Sequence, residues 1–273
     1  NILEAIMAGI IDTHAHYDDS AFDIDRDALL AQVGHSTVTK IINIGDSPSS
    51  CRSTLEISRK YENVYAAIGV HPTETGALND DIFAELADMA ENNLQRDGRG
   101  HVVAIGEIGL DFFYDLSQRD TQILVFQRQL ELAFEADLPI VLHTRDATKD
   151  TLTILDDFKR NKMLRSVPGV CHCFSGSEET AEKLLQMGFY LGFDGPITFK
   201  NSKRAPYVIS MTPPDRLLTE TDSPYLTPVP YRGKRNEPSY VGLVLDKMAE
   251  IKGMDREEMA AVVTDNACRL FGI

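Results

Sequence analysis

Short apolar runs recur along the chain, and longer polar stretches with helical spacing separate them. The runs are too short for helices and read as buried strands. They are IIDTHA (10–15), TKIINIG (39–45), VYAAIGV (64–70), VVAIGEIGL (102–110), PIVLHT (139–144), GVCHCF (169–174), FYLGFDG (189–195) and LLTETD (217–222). Helical spacing marks CRSTLEISRKY (51–61), DDIFAELADMAENNL (80–94), QRDTQILVFQRQLELAFEAD (118–137) and SEETAEKLLQMG (177–188). Two further helices, about 238–252 and 255–270, close the chain. Eight alternating units without a linker or low-complexity tract predict an α/β fold, a single (β/α)8 TIM barrel over residues 1–273 with additional C-terminal helices. A doubly wound open sheet is the structural alternative, but it normally needs fewer strands.

Composition leaves this reading in place. A length of 273 residues suits one barrel domain, and 43% hydrophobic with 25% charged residues is ordinary for a chain with a sizeable core. No apolar run approaches the roughly 18 residues that cross a bilayer, and nothing resembles a cleavable signal. The chain opens on Asn1 rather than Met, so Met7 is a candidate natural start. The four cysteines, at 51, 171, 173 and 268, form no C-x-x-C pair and no disulfide framework. Reduced thiols in a cytoplasmic protein are expected. A net charge of −15 argues against wide capture of nucleic acid or anionic lipid. A local basic patch or a bound cation stays compatible with it.

Chemistry enters at the strand ends, because loops at the C-terminal face of a TIM barrel build its active site. In I-I-D-T-H-A-H-Y-D, His14 and His16 occupy alternate positions of one strand and share a face. His71, Glu107, His143, His172 and Asp222 follow at the ends of the third, fourth, fifth, sixth and eighth strands. Five of the seven histidines thus fall at such ends, while His35 and His101 lie in turn-like segments and are expected at the surface. His14, His16, His143, His172, Glu107 and Asp222 are too many ligands for one tetrahedral zinc with an open position. They suit two divalent cations, with Glu107 central enough in strand order to bridge. Two cations about 3.5–4 Å apart can generate hydroxide and steady both the attacking and the leaving oxygen of a displacement.

The ordered motifs D-T-H-A-H, G-V-H-P, A-I-G-E-I-G-L-D, P-I-V-L-H-T-R-D-A, H-C-F-S-G, G-F-x-G-x-I-T-F-K and E-T-D-S-P-Y, with R-G-K-R-N-E-P, span nearly the whole chain. In this series the chain resembles the TatD-type metal-dependent hydrolases, a branch of the amidohydrolase-like barrels known mainly as deoxyribonucleases. The resemblance implies that His14, His16 and Asp222 hold one metal and His143 and His172 the other, with Glu107 between. Zinc or manganese suits the histidine-rich shell better than magnesium, although magnesium also occurs in the family. It further implies a phosphodiesterase or deoxyribonuclease, 3'-5' exonuclease-like, acting through a metal-bound hydroxide on nucleic-acid ends, single strands preferred. Asp222, Glu107 and His71 would be its catalytic residues, Asp222 doubling as proton acceptor. An ester or amide hydrolase using the same site, such as an aminoacyl-tRNA deacylase, is the alternative. A non-catalytic scaffold is a third.

Other positions keep two readings each. His71 either contacts phosphate and donates a proton, or makes a structural hydrogen bond before Pro72. Asp12 and Glu220, two residues ahead of a ligand, are candidates to support the ligands from a deeper layer. Asp111 reads as a turn residue before a catalytic one, and Asp146 either contacts substrate or serves as a helix N-cap. Arg145, Ser175, Lys200, Arg232 and Arg235 are candidate substrate contacts. With Lys203, Arg204 and Lys234 the cations form either a phosphate-binding rim or scattered surface charge. Tyr225 and Tyr231 either stack on bases or wall a loop. No DNA-reading motif, membrane contact or protein partner is expected.

Overall fold

Alternating strands and helices build a ring in which every strand pairs, in parallel, with its neighbours in the chain. The structure, a computed structural model, describes residues 9–92, 101–114 and 116–273. Its strands are β1 (Ile10–Ala15), β2 (Val38–Ile44), β3 (Val64–Ile68), β4 (Val102–Asp111), β5 (Ile140–Arg145), β6 (Gly169–Cys171), β7 (Tyr190–Phe193) and β8 (Leu217–Thr219). They lie in the order β1 to β8 in one sheet. The seam between β1 and β8 is drawn together by Asp222 N donating to His14 O at 2.8 Å and His16 N donating to Ser223 O at 2.7 Å. The helices are α1 (Arg26–Leu30), α2 (Pro48–Lys60), α3 (Asp80–Asn92), α4 (Arg119–Glu135), α5 (Thr148–Arg160), α6 (Glu178–Met187), α7 (Ala205–Met211), α8 (Val241–Lys252) and α9 (Arg256–Phe271).

The sequence pattern gives no bounds for α1, α5 and α7, although a helix start is expected near Asp146; the expected helix over 80–94 extends outside the described residues, where Asn1 and Met7 also lie. Ser47 caps α2 by accepting from Ser50 N, with Pro48 at the first helical position. Ser177 caps α6 in the same way. Asp146 does not cap α5: the N-cap is Ala147, without a side-chain bond, and Asp146 takes a left-handed φ of 52°.

Apolar residues divide into two layers. One lies between strands and helices and includes Phe126, Leu130, Leu142 and Val244. The other fills the barrel with Ile11, Ile42, Ile44, Val103, Val141, Val170, Tyr190 and Leu218, and packs against Ala267, Leu270 and Phe271 of α9. The last helix therefore stoppers the N-terminal mouth of the ring and leaves polar chemistry to the other end.

Two strands stop earlier than their apolar patterns suggest. β6 ends at Cys171 and β8 at Thr219, so His172 and Asp222 stand on the turns beyond. Cys173 has φ 44° and Asp222 φ 57°, left-handed conformations that cannot continue a parallel ladder.

Candidate metal centre

His14 and His16 leave the end of β1 with both Nε2 atoms turned to the barrel axis, 3.2 Å apart. The His16 Nδ1–H donates to Ile44 O at 3.1 Å, so that Nε2 is the nitrogen whose proton a cation would displace. Opposite them stands Asp222, whose Oδ1 lies 3.6 Å from His14 Nε2 and 3.4 Å from His16 Nε2.

Glu107 lies inside β4 rather than at its end, at a register shift between Gly106 and Ile108. Such a bulge re-aims a side chain. Two residues on, Gly109 has φ 146°, and a Cβ there would meet His143 O at 1.9 Å, so only glycine lets β4 close on β5 beside the site. The two oxygens of Glu107 face different groups. Oε1 is 2.7 Å from His143 Nδ1 and 2.6 Å from His172 Nε2. Oε2 is 3.4 Å from His14 Nε2 and 3.9 Å from His16 Nε2.

His143 Nδ1 and His172 Nε2 are 3.2 Å apart. His143 Nε2 donates backwards to Asp111 Oδ2 at 3.1 Å, which turns Nδ1 into the site. The His14 and His172 rings stack with centroids 4.1 Å apart.

Charge follows from this crowding. Burial and the neighbouring His172 depress the His14 pKa to about 4. Burial also opposes charge on His16 and His143, but Asp222 and Glu107 outweigh it for the first, raising it to about 10. Asp111 and Glu107 do so for the second, raising it to about 9. Against its own burial, Glu107 is held well below the usual carboxylate range by His172, His71 and the other imidazoles. The carboxylates thus draw positive charge to both sides of Glu107.

The donor set fits divalent cations. Imidazole nitrogens converge in pairs at 3.2 Å with carboxylate oxygens alongside, and the rear nitrogens of His16 and His143 are already bonded to Ile44 O and Asp111. Among the described residues three groups lie close enough to share a cation: His14, His16 and Asp222; His14, Glu107 and His172; and His71, Glu107 and His143. The first is the trio expected for one metal, and the others divide between them the residues expected for the second. Both also contain one residue beyond that expectation, His14 or His71.

The remaining candidates separate. His71 makes the structural hydrogen bond, its Nδ1 accepting from Thr73 N with Thr73 Oγ1 2.7 Å away, while its Nε2 faces Glu107 Oε1 at 3.6 Å. Asp12 is wholly buried and accepts from Thr221 N and Oγ1, pinning the turn that carries Asp222. Its burial raises the pKa to about 7. Glu220 supports the backbone rather than a histidine ring, since its Oε1 accepts from Cys173 N beside His172. Arg145, Ser175, Lys200 and Arg232 are exposed at the rim, Arg232 lying over the Phe199 ring at 4.3 Å. Arg235 is diverted from the rim. It forms a two-pronged pair with Asp25 at 2.7 and 2.6 Å and covers Phe22 at 4.6 Å, so its guanidinium is already engaged.

Lys203, Arg204 and Lys234 are also exposed. Tyr225 donates to Asp19 Oδ2 at 2.7 Å, and Tyr231 stacks on Tyr240 at 4.6 Å. His35 is exposed and His101 half-buried, both away from the centre. All four cysteines are free thiols.

Two residues escaped the sequence reading. Asp111, read as a turn residue, does accept from Phe113 N and Tyr114 N, but it also orients His143. Its signal was parity, because Asp111 is four residues after Glu107 and so on the same strand face. Asp194, buried on the turn after β7, is pushed well above the carboxylate range by burial and by Asp222. Its place near the end of the expected strand FYLGFDG was the signal that could have found it.

A parallel eight-stranded barrel with imidazoles and carboxylates gathered at one mouth defines the class of metal-dependent barrel hydrolases. Residues 11–272 match the family described as TatD related DNase. The chain belongs to the TatD family of metal-dependent hydrolases. It is 43% identical, over 97% of its own length and 99% of the relative's, to the uncharacterized metal-dependent hydrolase YabD of Bacillus subtilis (strain 168). It is 35% identical, over 96% and 97%, to the 3'-5' ssDNA/RNA exonuclease TatD of Cronobacter sakazakii. Among solved structures it is similar to YJJV, a TatD homolog from Escherichia coli K12, with TM-score 0.87, 32% identity and coverage of 97% and 98%.

Proposed function

We propose that the protein is a cytoplasmic phosphodiesterase that removes nucleotides from nucleic-acid ends, preferably single-stranded, as a 3'-5' exonuclease. The observation that carries this reading is the division of the Glu107 carboxylate, Oε1 toward His143 and His172 and Oε2 toward His14 and His16. That division suits two divalent cations, zinc or manganese before magnesium, in a bridged pair. His14, His16 and Asp222 would hold one, and His143 and His172 the other, with Glu107 between. Bound there, the cations would activate water and neutralise charge developing on the phosphoryl oxygens.

The chain's own groups supply the rest. Asp222 accepts a proton from the attacking water. His71, neutral and with Nδ1 occupied by Thr73, offers its Nε2–H as a hydrogen-bond donor to a phosphoryl oxygen. Arg145, Ser175, Lys200 and Arg232 cradle the flanking phosphates, while Arg235 braces the loop that carries Arg232. The exonuclease name of the Cronobacter relative supports the choice of substrate.

Metal-loaded protein incubated with end-labelled single-stranded DNA should shorten the strand stepwise, and Asp222→Asn should abolish this while leaving the fold intact. Turnover of aminoacyl-tRNA with none of DNA or RNA would overturn the proposal in favour of a deacylase.

A further inference from the structure

Beside the centre, the turn after β4 places two large aromatic rings in solvent. Phe113 is 55% exposed and Tyr114 54%, an unusual outlay of apolar surface for a turn. The rings meet edge to face with centroids 5.1 Å apart. The Arg145 guanidinium lies over both, 4.0 Å from the Phe113 centroid and 4.7 Å from that of Tyr114. Among the described residues no carboxylate pairs with Arg145.

The cluster is tied to the site by short bonds. Arg145 is paired with Asp111 in the β4–β5 register, two residues beyond the pair Gly109 and His143. Phe112 N donates to Arg145 O at 2.9 Å. One Asp111 oxygen accepts from Phe113 N at 2.9 Å and Tyr114 N at 3.1 Å, and the other accepts from His143. A single buried carboxylate therefore fixes the position of two exposed rings relative to a ring that faces Glu107.

Half-exposed aromatic rings beside a guanidinium match one chemistry: a flat unpaired base carrying an anionic phosphate. Base stacking tolerates any sequence, in keeping with a chain that has no base-reading motif. Resting on the nucleic-acid reading above, we infer that Phe113, Tyr114 and Arg145 seat an unpaired nucleobase next to the phosphodiester held at the centre, with Arg145 neutralising that nucleotide's phosphate.

The test is equilibrium binding of the full-length chain, followed by fluorescence anisotropy. One probe is a labelled oligothymidylate and the other a strand of the same length with abasic sugars. The wild type should bind the base-bearing strand about tenfold more tightly, as loss of stacking predicts. Phe113→Ala with Tyr114→Ala should erase that preference, and Phe113→Leu with Tyr114→Leu, which keeps apolar bulk, should erase it too. Arg145→Ala should weaken both strands alike. Equal binding of the two strands by the wild type, or a preference that survives both double variants, overturns the inference. So does a result in which the variants instead dissociate a self-associated form of the chain. Base-dependent binding without strand cleavage would sink the nuclease reading and leave the seat standing. Cleavage without base dependence would do the reverse.

Discussion

Asp111 holds His143 from behind: its Oδ2 accepts the His143 Nε2–H at 3.1 Å, and the opposite ring nitrogen, Nδ1, is thereby presented to Glu107 at 2.7 Å. Carboxylates in this position fix a histidine's tautomer and raise its basicity. Asp111→Asn should therefore weaken metal binding about 10- to 100-fold. Titration against a chelating indicator reads this directly, and an affinity equal to the wild type would show that Asp111 is only a turn residue.

Glu107→Gln keeps the shape of the side chain but removes its charge and one acceptor oxygen. On the two-cation reading proposed above, bound metal, measured by elemental analysis after purification without chelators, should fall from two equivalents to one or fewer. Turnover should fall by at least about 10²–10³-fold, since charge stabilisation at the reacting centre is lost with it. Two equivalents retained would remove Glu107 from the bridging role.

The thiols should differ sharply in reactivity, because alkylation requires the thiolate. Burial pushes Cys51 up to about 12, and pushes Cys171 higher still. Cys268 is only partly buried. Iodoacetamide at pH 8 should label Cys268 in the native protein and reach Cys51 and Cys171 only after denaturation. Peptide mass spectrometry decides it, and rapid native labelling of Cys51 would contradict the packing described.

Phe271→Ala should cost about 3–5 kcal/mol of stability, the usual price of a large cavity in a packed core. Phe271 is 5% exposed and packs with the residues inside the barrel, at the end opposite the metal centre. Denaturant unfolding should show the loss while metal affinity stays unchanged. A fall in affinity would mean that the two ends of the ring are coupled.

The barrel was legible because its signal is local. Apolar runs and helical spacing repeat eight times, and each unit declares its own type before any tertiary contact forms. The short helices α1 and α7 were less visible because their patterns span few turns, and α5 because its apolar positions lie among charged residues. The residues of the centre were also visible as a set, since histidines and acids at the ends of parallel strands converge by the geometry of the fold.

Which atom faces which was not visible. The β4 bulge decides where Glu107 points, and the pairing of Arg235 with Asp25, far away in sequence, removes that cation from the substrate rim. Asp111 changes from a turn residue to the support of His143 only when β5 is laid beside β4. Sequence by itself determined the order of strands and the residue types gathered at one mouth. Tertiary structure alone decided side-chain partners and which oxygen of Glu107 faces which imidazole, because these depend on contacts a few ångströms long between positions tens to hundreds of residues apart.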